Sequence, residues 1–387
     1  MFNRQFKFIV AGIYIHIPFC RQKCHYCNFF SLASQKNLSA FTDALLLEMA
    51  ARKEYLTGET VKTIYIGGGT PSLLPVDDIN RISEKIHELF EVESDAEITL
   101  EANPDDISPD YLQQLKSTFV NRLSIGIQSF FADDLHYLNR VHDQHQAHRV
   151  IKEAQDAGFE KLTIDLIYGI PTLTDEKWEK NLNYFFETGI QHLSAYALTV
   201  EPRTALAHLI GKGKLTAVDE LQSVRHFEKL IQKMEEEGFV HYEISNFARP
   251  GHYSKHNSIY WLGGHYLGLG PSAHSFNGLS RQWNVSNLAQ YIRQAGVEGS
   301  VDEIEILSKA QHYNEYVMTS LRTSWGCDLE HIENVFGKNM KAHCFKEASK
   351  FIEMQQLRTE GSRLFLTNKG KLYADGIAAS MFFEENL

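Results

Sequence analysis

Three cysteines, Cys20, Cys24 and Cys27, fall within eight consecutive positions as Cys-x3-Cys-x2-Cys. Thiolates at these intervals let one loop wrap a metal centre, and iron–sulfur clusters are held by Cys thiolates. A four-iron cluster calls for four ligands, so three local thiolates leave one iron open. The alternative is zinc, with His16 or His25 completing a closed tetrahedral site. Zinc sites more often pair one Cys-x2-Cys with a distant second pair. The chain holds five cysteines, an odd number. Clustering of this kind without a secretion signal suits a metal site better than a disulfide framework. Cys327 and Cys344 stand alone and are expected as buried apolar fillers. In a second run, Gly67, Gly68, Gly69, Thr70 and Pro71, the three glycines lack Cβ atoms where a ligand would approach the backbone, and the N–H groups that follow can receive a carboxylate.

The elements that must position these residues alternate between short β-rich runs and helical stretches from Gly12 to about Thr199, the rhythm of βα units around a parallel sheet. Six strands are predicted: Ile13–Ile17, Lys62–Ile66, Glu97–Glu101, Arg122–Gln128, Lys161–Ile167 and His192–Thr199. Between them, Ile79, Ile82, Ile86, Leu89 and Phe90 recur at helical spacing, as do Val150, Ile151 and Ala154 before a stop at Gly158. Fully buried parallel strands should read as continuous Val, Ile and Leu. These alternate instead. Ile13, Ile15 and Ile17 oppose Tyr14 and His16; Ile98 and Leu100 oppose Thr99 and Glu101. Leu123, Ile125 and Ile127 oppose Ser124, Gly126 and Gln128; Leu162, Ile164 and Leu166 oppose Thr163 and Asp165. One face is therefore apolar and helix-covered, and the other polar. Unpaired Glu, Gln or Asp in a dry core would be costly, so the polar face must line a wet interior. The fold class is α/β, a partial six-unit (β/α) barrel with a smaller, mostly helical, winged-helix-like C-terminal domain. The alternative is an open sheet with one solvated face.

The 387 residues are 43% hydrophobic and 22% charged, enough to bury a sizeable core. Lys and Arg total 38 against 49 Asp and Glu, a formal net charge of −11, which argues against nucleic acid as a partner. No apolar run reaches the roughly 20 residues of a membrane-spanning helix. Arg4 and Lys7 before the run Phe8 to Ile15 imitate a signal peptide, but His16 and Pro18 interrupt it and no cleavage site follows. A cytoplasmic protein is expected. Residues 1–200 form the barrel with its metal site, 201–300 a linking segment dense in His, Asn, Tyr and Gly, and 301–387 the C-terminal domain. A long helix from about Val218 to Glu237 opens the second segment, and a hairpin is expected around Glu360 to Ser362.

Cys-x3-Cys-x2-Cys after a first strand, with Gly-Gly-Gly-Thr-Pro after the second, resembles the radical S-adenosylmethionine superfamily. The resemblance implies a [4Fe-4S] cluster on Cys20, Cys24 and Cys27, its open iron chelated by the methionine moiety of S-adenosylmethionine. Within the superfamily the chain is most similar to the oxygen-independent coproporphyrinogen III oxidase group and the HemW-type haem chaperones. The similarity rests on Tyr14 to Cys20 (YIHIPFC), Glu101 with Asn103 and Pro104, Gln128 with Phe130, Asn139 with Arg140, and Asp165 to Pro171 (DLIYGIP). By position it implies that Tyr14, Gly68, Gly69, Thr70, Glu101, Gln128, Arg140 and Asp165 contact S-adenosylmethionine, some at a second molecule's site. Barrel sites are built at strand ends, where these residues fall.

Two features separate the branches. The oxidase pattern has a further cysteine two residues after the third ligand, where this chain has Phe29. The chaperone branch bears an HNxxYW signature, read here as His256, Asn257, Ser258, Ile259, Tyr260 and Trp261. The chain begins only a few residues before its first strand, so the oxidase's N-terminal extension is expected to be missing. The chaperone branch implies haem as ligand, respiratory-type apo haem proteins as recipients, and no porphyrinogen decarboxylation; the alternatives are a working oxidase that decarboxylates coproporphyrinogen III and a non-catalytic haem-binding module whose metal loop is only structural. His256 is then a candidate axial ligand, with Tyr260 and Trp261 able to stack on the porphyrin. The opposing reading has the motif merely joining barrel to C-terminal unit. His241, His252, His265 and His274 are substitute ligands, and Arg249 and Lys255 candidate partners for the propionates. Peripheral membrane contact and a homodimer stay open.

Overall fold

The computed structural model describes residues 11–296 and 301–384; Arg4 and Lys7 lie outside the described residues. Its first six strands are β1 (Ala11–Ile17), β2 (Val61–Gly68), β3 (Val92–Ala102), β4 (Arg122–Gln128), β5 (Lys161–Tyr168) and β6 (His192–Ala197). They lie side by side in chain order, each parallel to the next. This is the six-unit partial barrel. It does not close, because the outer side of β6 pairs with β8 (Asn246–Ala248), itself paired to β7 (Val240–Glu243). The outer side of β1 pairs with β9 (His265–Leu269), followed by β10 (His274–Phe276), β11 (Ser280–Asn284) and β12 (Val301–Ile306). Residues 201–300, expected as a link, thus supply strands to both edges of one twelve-stranded sheet.

The alternation read in the sequence decides which face is covered. Ile13, Ile15, Ile17, Ile64, Ile66, Leu123, Ile125, Ile127 and Ile164 are inaccessible to solvent and form one core with the outer helices. Helix Val76–Leu89 turns Ile79, Ile82 and Ile86 inward. Helix Gln144–Asp156 starts at a capping box between Asp143 and Gln146 and buries Val150, Ile151 and Ala154. Gly158, at φ +87°, takes the chain out of it. The long helix runs Glu220–Glu236.

The polar face is not wet along its whole length. Toward the N-terminal ends of the strands it is plugged by a hydrogen-bonded floor. Arg122 donates to Glu97 at 3.0 Å, both side chains almost fully buried, and to Thr163. Thr163 Oγ1 meets His192 Nδ1 at 3.1 Å, whose Nε2 meets the Tyr242 hydroxyl at 2.7 Å. Helix Lys255–Trp261, which carries the HNxxYW signature, closes the floor. Its fit needs Gly12: a methyl there would sit 2.8 Å from Thr63 Oγ1, 3.1 Å from Ile259 and 3.3 Å from the His256 ring.

The C-terminal unit has its own core, built on Tyr313, Val317, Ile332, Leu364 and Ile377 and including Cys327 and Cys344. Helices surround an antiparallel sheet of β13 (Cys327–Asp328), β14 (Leu357–Glu360) and β15 (Arg363–Leu366), the last two joined by the expected hairpin. The unit docks on the barrel through backbone: Ile244 N–H donates to the Arg322 carbonyl at 3.1 Å, and Ser324 N–H to the Tyr242 carbonyl at 3.0 Å. No helix among the described residues is long and apolar enough to cross a membrane.

Candidate functional site

With the floor plugged, the lumen opens at the C-terminal ends of the strands as a cavity of about 880 Å³. Small-molecule sites span about 300–1,000 Å³, so this one lies near the top of the range. Cys20, Cys24 and Cys27 all line it, on the loop that leaves β1. The loop is held by Cys20 N–H donating to the Leu32 carbonyl at 2.9 Å and His25 N–H to the Leu138 carbonyl at 3.1 Å. Burial raises the Cys20 and Cys27 thiols above their ordinary value, while hydrogen bonds from Thr70 and Ser31 to Cys20 pull the other way. The Gly-rich run crosses directly under this loop. Gly69 N–H donates to the Ile17 carbonyl at 2.7 Å. A methyl on Gly69 would sit 2.6 Å from the Phe19 carbonyl oxygen, 2.9 Å from that of Ile17 and 3.0 Å from Cys20 Sγ. Gly69→Ala must therefore displace the cysteine loop. The expected outcome is loss of most iron and sulfide uptake on reconstitution with little change in melting temperature, read by metal analysis and thermal unfolding.

Arg140 reaches across from the chain after β4. One terminal nitrogen lies 3.3 Å from Cys24 Sγ, the other donates to Asn103 and to the Gly126 carbonyl, and Nε is buried without an acceptor. A cation with an orphaned donor beside three thiols suits an anionic group, and the thiols are the soft donors iron takes. All three are free. Among the described residues no three His, Cys, Asp or Glu side chains converge as a single-ion site requires. Of the two histidines offered as a fourth zinc donor, His16 is engaged at both ring nitrogens, by the Tyr14 hydroxyl at 3.0 Å and the Phe30 carbonyl at 2.8 Å, and His25 has its Nδ1 at the Tyr137 carbonyl at 3.0 Å and does not line the cavity. A cluster makes a different demand, one thiolate per iron.

Of the residues expected at S-adenosylmethionine, Gly68, Gly69, Thr70, Glu101, Gln128, Arg140 and Asp165 all line the cavity. Glu101 accepts from the Tyr65 hydroxyl at 2.7 Å and from Gly68 N–H at 3.1 Å, so that glycine amide is already used. Burial raises the Glu101 carboxyl to about 7 and that of Asp165 to about 6, with the Asp165 charge adding to the rise at Glu101. Gln128 ends β4 at φ +66°, a conformation uncommon outside glycine and met at ligand sites. Gly126 makes room for it, since a methyl there would sit 2.8 Å from Gln128 Nε2. Tyr14 does not line the cavity; it stacks on Tyr65 and His256 below it.

His256 is in the floor as well. Its Nδ1 meets Thr63 Oγ1 at 2.8 Å, its Nε2 the Tyr260 hydroxyl at 2.8 Å, and its N–H donates to Glu97 at 3.0 Å. Burial, with Arg122 nearby, lowers the ring to about 3, so it is neutral. An axial role would require Tyr260 to release Nε2 and the floor to open. Among the described residues no histidine lines the cavity. Arg249 covers the Phe239 ring at 4.6 Å and Lys255 faces Asp95 at 3.7 Å, both away from it. Phe29, 63% exposed, lines the rim.

Sequence reasoning missed Tyr65, which supports Glu101 from beneath the cavity, and two residues of the cavity wall, Arg322 and Lys371. Tyr65 was legible, because Thr63 and Tyr65 alternate with Ile64 and Ile66 along β2. Arg322 and Lys371 carried no signal, because they arrive from the C-terminal unit, at least 295 residues after the cysteines.

The Radical SAM superfamily matches residues 14–185, and the HemN C-terminal domain matches residues 307–373. Coproporphyrinogen III oxidase (HemN) from Escherichia coli, described as a radical SAM enzyme, superposes with a TM-score of 0.83 at 25% identity, covering 97% of this chain and 90% of that one. The heme chaperone HemW of Escherichia coli is 37% identical over 68% of this chain and 69% of its own. The heme chaperone HemW of Bacillus subtilis is 34% identical over 97% of this chain and the whole of its own. A relative matched from end to end at this identity, on a barrel with three thiols at its mouth, makes this chain a member of the HemW family of the radical SAM superfamily.

Proposed function

We propose that this chain binds haem and hands it to apo haem proteins of the respiratory type in the cytoplasm. In this reading Cys20, Cys24 and Cys27 hold a [4Fe-4S] cluster, with S-adenosylmethionine bound beside it. The observation that carries it is the continuity of one cavity, from the thiols to a wall of aromatic and aliphatic side chains that includes Tyr168, Tyr196 and Phe227. The name heme chaperone, borne by the end-to-end relative, supports it. When bound and reduced by an external one-electron donor, a four-iron cluster on these three thiols would supply the one-electron reduction of S-adenosylmethionine. The chain's own part is to bind and orient. Gly68 and Gly69 give the ligand backbone without side chains, Arg140 faces its carboxylate, and Glu101 its ammonium. The floor of Arg122, Glu97 and His256 keeps bulk water from entering beneath.

The test is to titrate the reconstituted full chain with haem and then add an apo-acceptor. Haem spectra should develop on the chain and move to the acceptor; haem that never binds, or never leaves, would defeat the reading. Anaerobic incubation with coproporphyrinogen III should yield no protoporphyrinogen.

The raised carboxyls give a pH signature. With Glu101 at about 7 in the folded chain and near 4.5 when unfolded, the folded state holds the extra proton between those values. Stability of the ligand-free chain should therefore fall as pH rises from about 4.5 to 7, and Glu101→Gln should flatten that slope. An ammonium beside Glu101 favours the carboxylate, so S-adenosylmethionine binding at pH 6.5 should release a proton. Calorimetry in buffers of different ionisation enthalpy reads that release directly.

His256→Ala, in the arrangement seen here, should lower stability and leave the haem spectrum unchanged. A reshaped spectrum would assign the ring to iron and require the floor to open.

A further inference from the structure

The C-terminal unit does more than pack against the barrel. Lys371, at the end of helix Asn368–Lys371, lines the same cavity as the cysteines. Its ammonium has three N–H groups. One meets His241 Nδ1 at 3.0 Å and one donates to Asn368 Oδ1 at 3.1 Å. His241 Nε2 faces the Ile244 carbonyl at 2.9 Å and must donate there, so Nδ1 is a lone-pair acceptor and the ring carries no charge. Among the described residues no carboxylate lies within 4 Å of Lys371, so one N–H is left without a partner in a half-buried cation. Burial lowers the ammonium to about 8; the Glu235 carboxylate, out of contact, pulls the other way and the Arg358 charge adds to the fall. Half-buried ammonium groups with no opposite charge in contact are costly, and a carboxylate arriving on a ligand would offset that cost.

Arg322 stands in the same wall. Glu243 at 3.2 Å and Asp375 hold its terminal nitrogens, its Nε is buried without an acceptor, and its guanidinium lies 5.1 Å over the ring of Trp261. The last residue of the HNxxYW signature thus supports a cation of the cavity from behind, which is a use for that residue other than stacking on a ligand.

We infer that Lys371 is the counter-ion site for a carboxylate borne by the cavity's ligand and, resting on the function proposed above, for a propionate of haem. The cations expected in this role at Arg249 and Lys255 face away from the cavity, and Arg322 beside Lys371 is already held by two carboxylates. The aromatic and aliphatic wall beside them takes the macrocycle, and the charged edge fixes which way it enters.

The probes are haem and haem dimethyl ester, which lacks the propionate charges, titrated into the full chain after cluster reconstitution. The unaltered chain should bind haem about tenfold or more tightly than the ester, as a charge-assisted pair allows. Lys371→Met should lose that advantage, binding haem as weakly as the ester and the ester as the unaltered chain does. Lys371→Arg should keep most of it. Melting temperature and cluster absorption of each variant report whether the fold survives, and the ester comparison on the unaltered chain needs no variant. Equal affinity of the unaltered chain for haem and ester, or an equal loss of both ligands in Lys371→Met, overturns this inference and leaves haem binding standing. No haem binding by the unaltered chain overturns both readings.

Discussion

Replacing Cys24 with serine should abolish cluster assembly: after anaerobic reconstitution the variant should show neither iron–sulfur absorption nor a spin-resonance signal that responds to S-adenosylmethionine. A serine hydroxyl is a poor ligand for the soft, thiolate-bound iron of such clusters, and the remaining two thiols cannot hold three irons. The fold should hardly notice. Cys24 is half-buried on a loop, where substitutions away from packed features change stability by about 0.5 kcal/mol or less. The contrast with the other two cysteines makes the experiment specific. Cys327 and Cys344 sit in the core of the C-terminal unit. Serine there should lower the melting temperature and leave the cluster spectrum intact. Full cluster spectra from Cys24→Ser would remove the thiol loop from the chemistry.

The second large effect belongs to the floor. Glu97→Ala leaves Arg122 charged and buried and strips the His256 N–H of its acceptor. Breaking a buried pair by removing one partner costs about 3–5 kcal/mol. Urea unfolding should show that loss, and Glu97→Gln, which keeps an acceptor for His256, should recover part of it. Because these residues close the barrel beneath Glu101 and Tyr65, the variant should also bind S-adenosylmethionine more weakly. A change under 1 kcal/mol would mean that water already reaches Arg122.

Much of the site was legible because it depends on local order. The cysteine loop, the Gly-rich crossing and the inward alternation at Glu101, Gln128 and Asp165 are each set by residues close in sequence, so spacing and period-two patterning expose them. Strand positions were correct to within a few residues, with β3 beginning five residues before its predicted start. What alternation could not say is how deep the wet part of the lumen runs. It gives Thr63, Thr163 and Glu101 the same polar face, but partners distant in sequence decide which of them meet a ligand. Arg122 donates to Glu97 and Thr163, Thr163 meets His192, and Glu97 accepts the His256 N–H of the signature helix, so that end is largely filled. His256 lies 159 residues from its acceptor Glu97, a separation no local pattern reports. The same holds for Lys371 and His241, 130 residues apart. Segment 201–300 reads as a link in the sequence, and its strands of three to five residues are too short for period-two patterning to show. Their pairing to the two open edges of the barrel is a tertiary choice.

The most direct measurement asks whether one cavity serves both the thiol loop and haem. The reduced cluster of the reconstituted full chain gives a spin-resonance signal whose relaxation is sensitive to a second paramagnet close by. Titration with oxovanadium(IV) protoporphyrin, a paramagnetic haem analogue that the reduced cluster leaves unreduced, should speed that relaxation in proportion to porphyrin bound, and zinc protoporphyrin, which is diamagnetic, should leave it unchanged. Paramagnetic porphyrin that binds stoichiometrically, in competition with haem, and leaves the cluster's relaxation untouched would put the porphyrin elsewhere on the molecule and contradict a shared cavity.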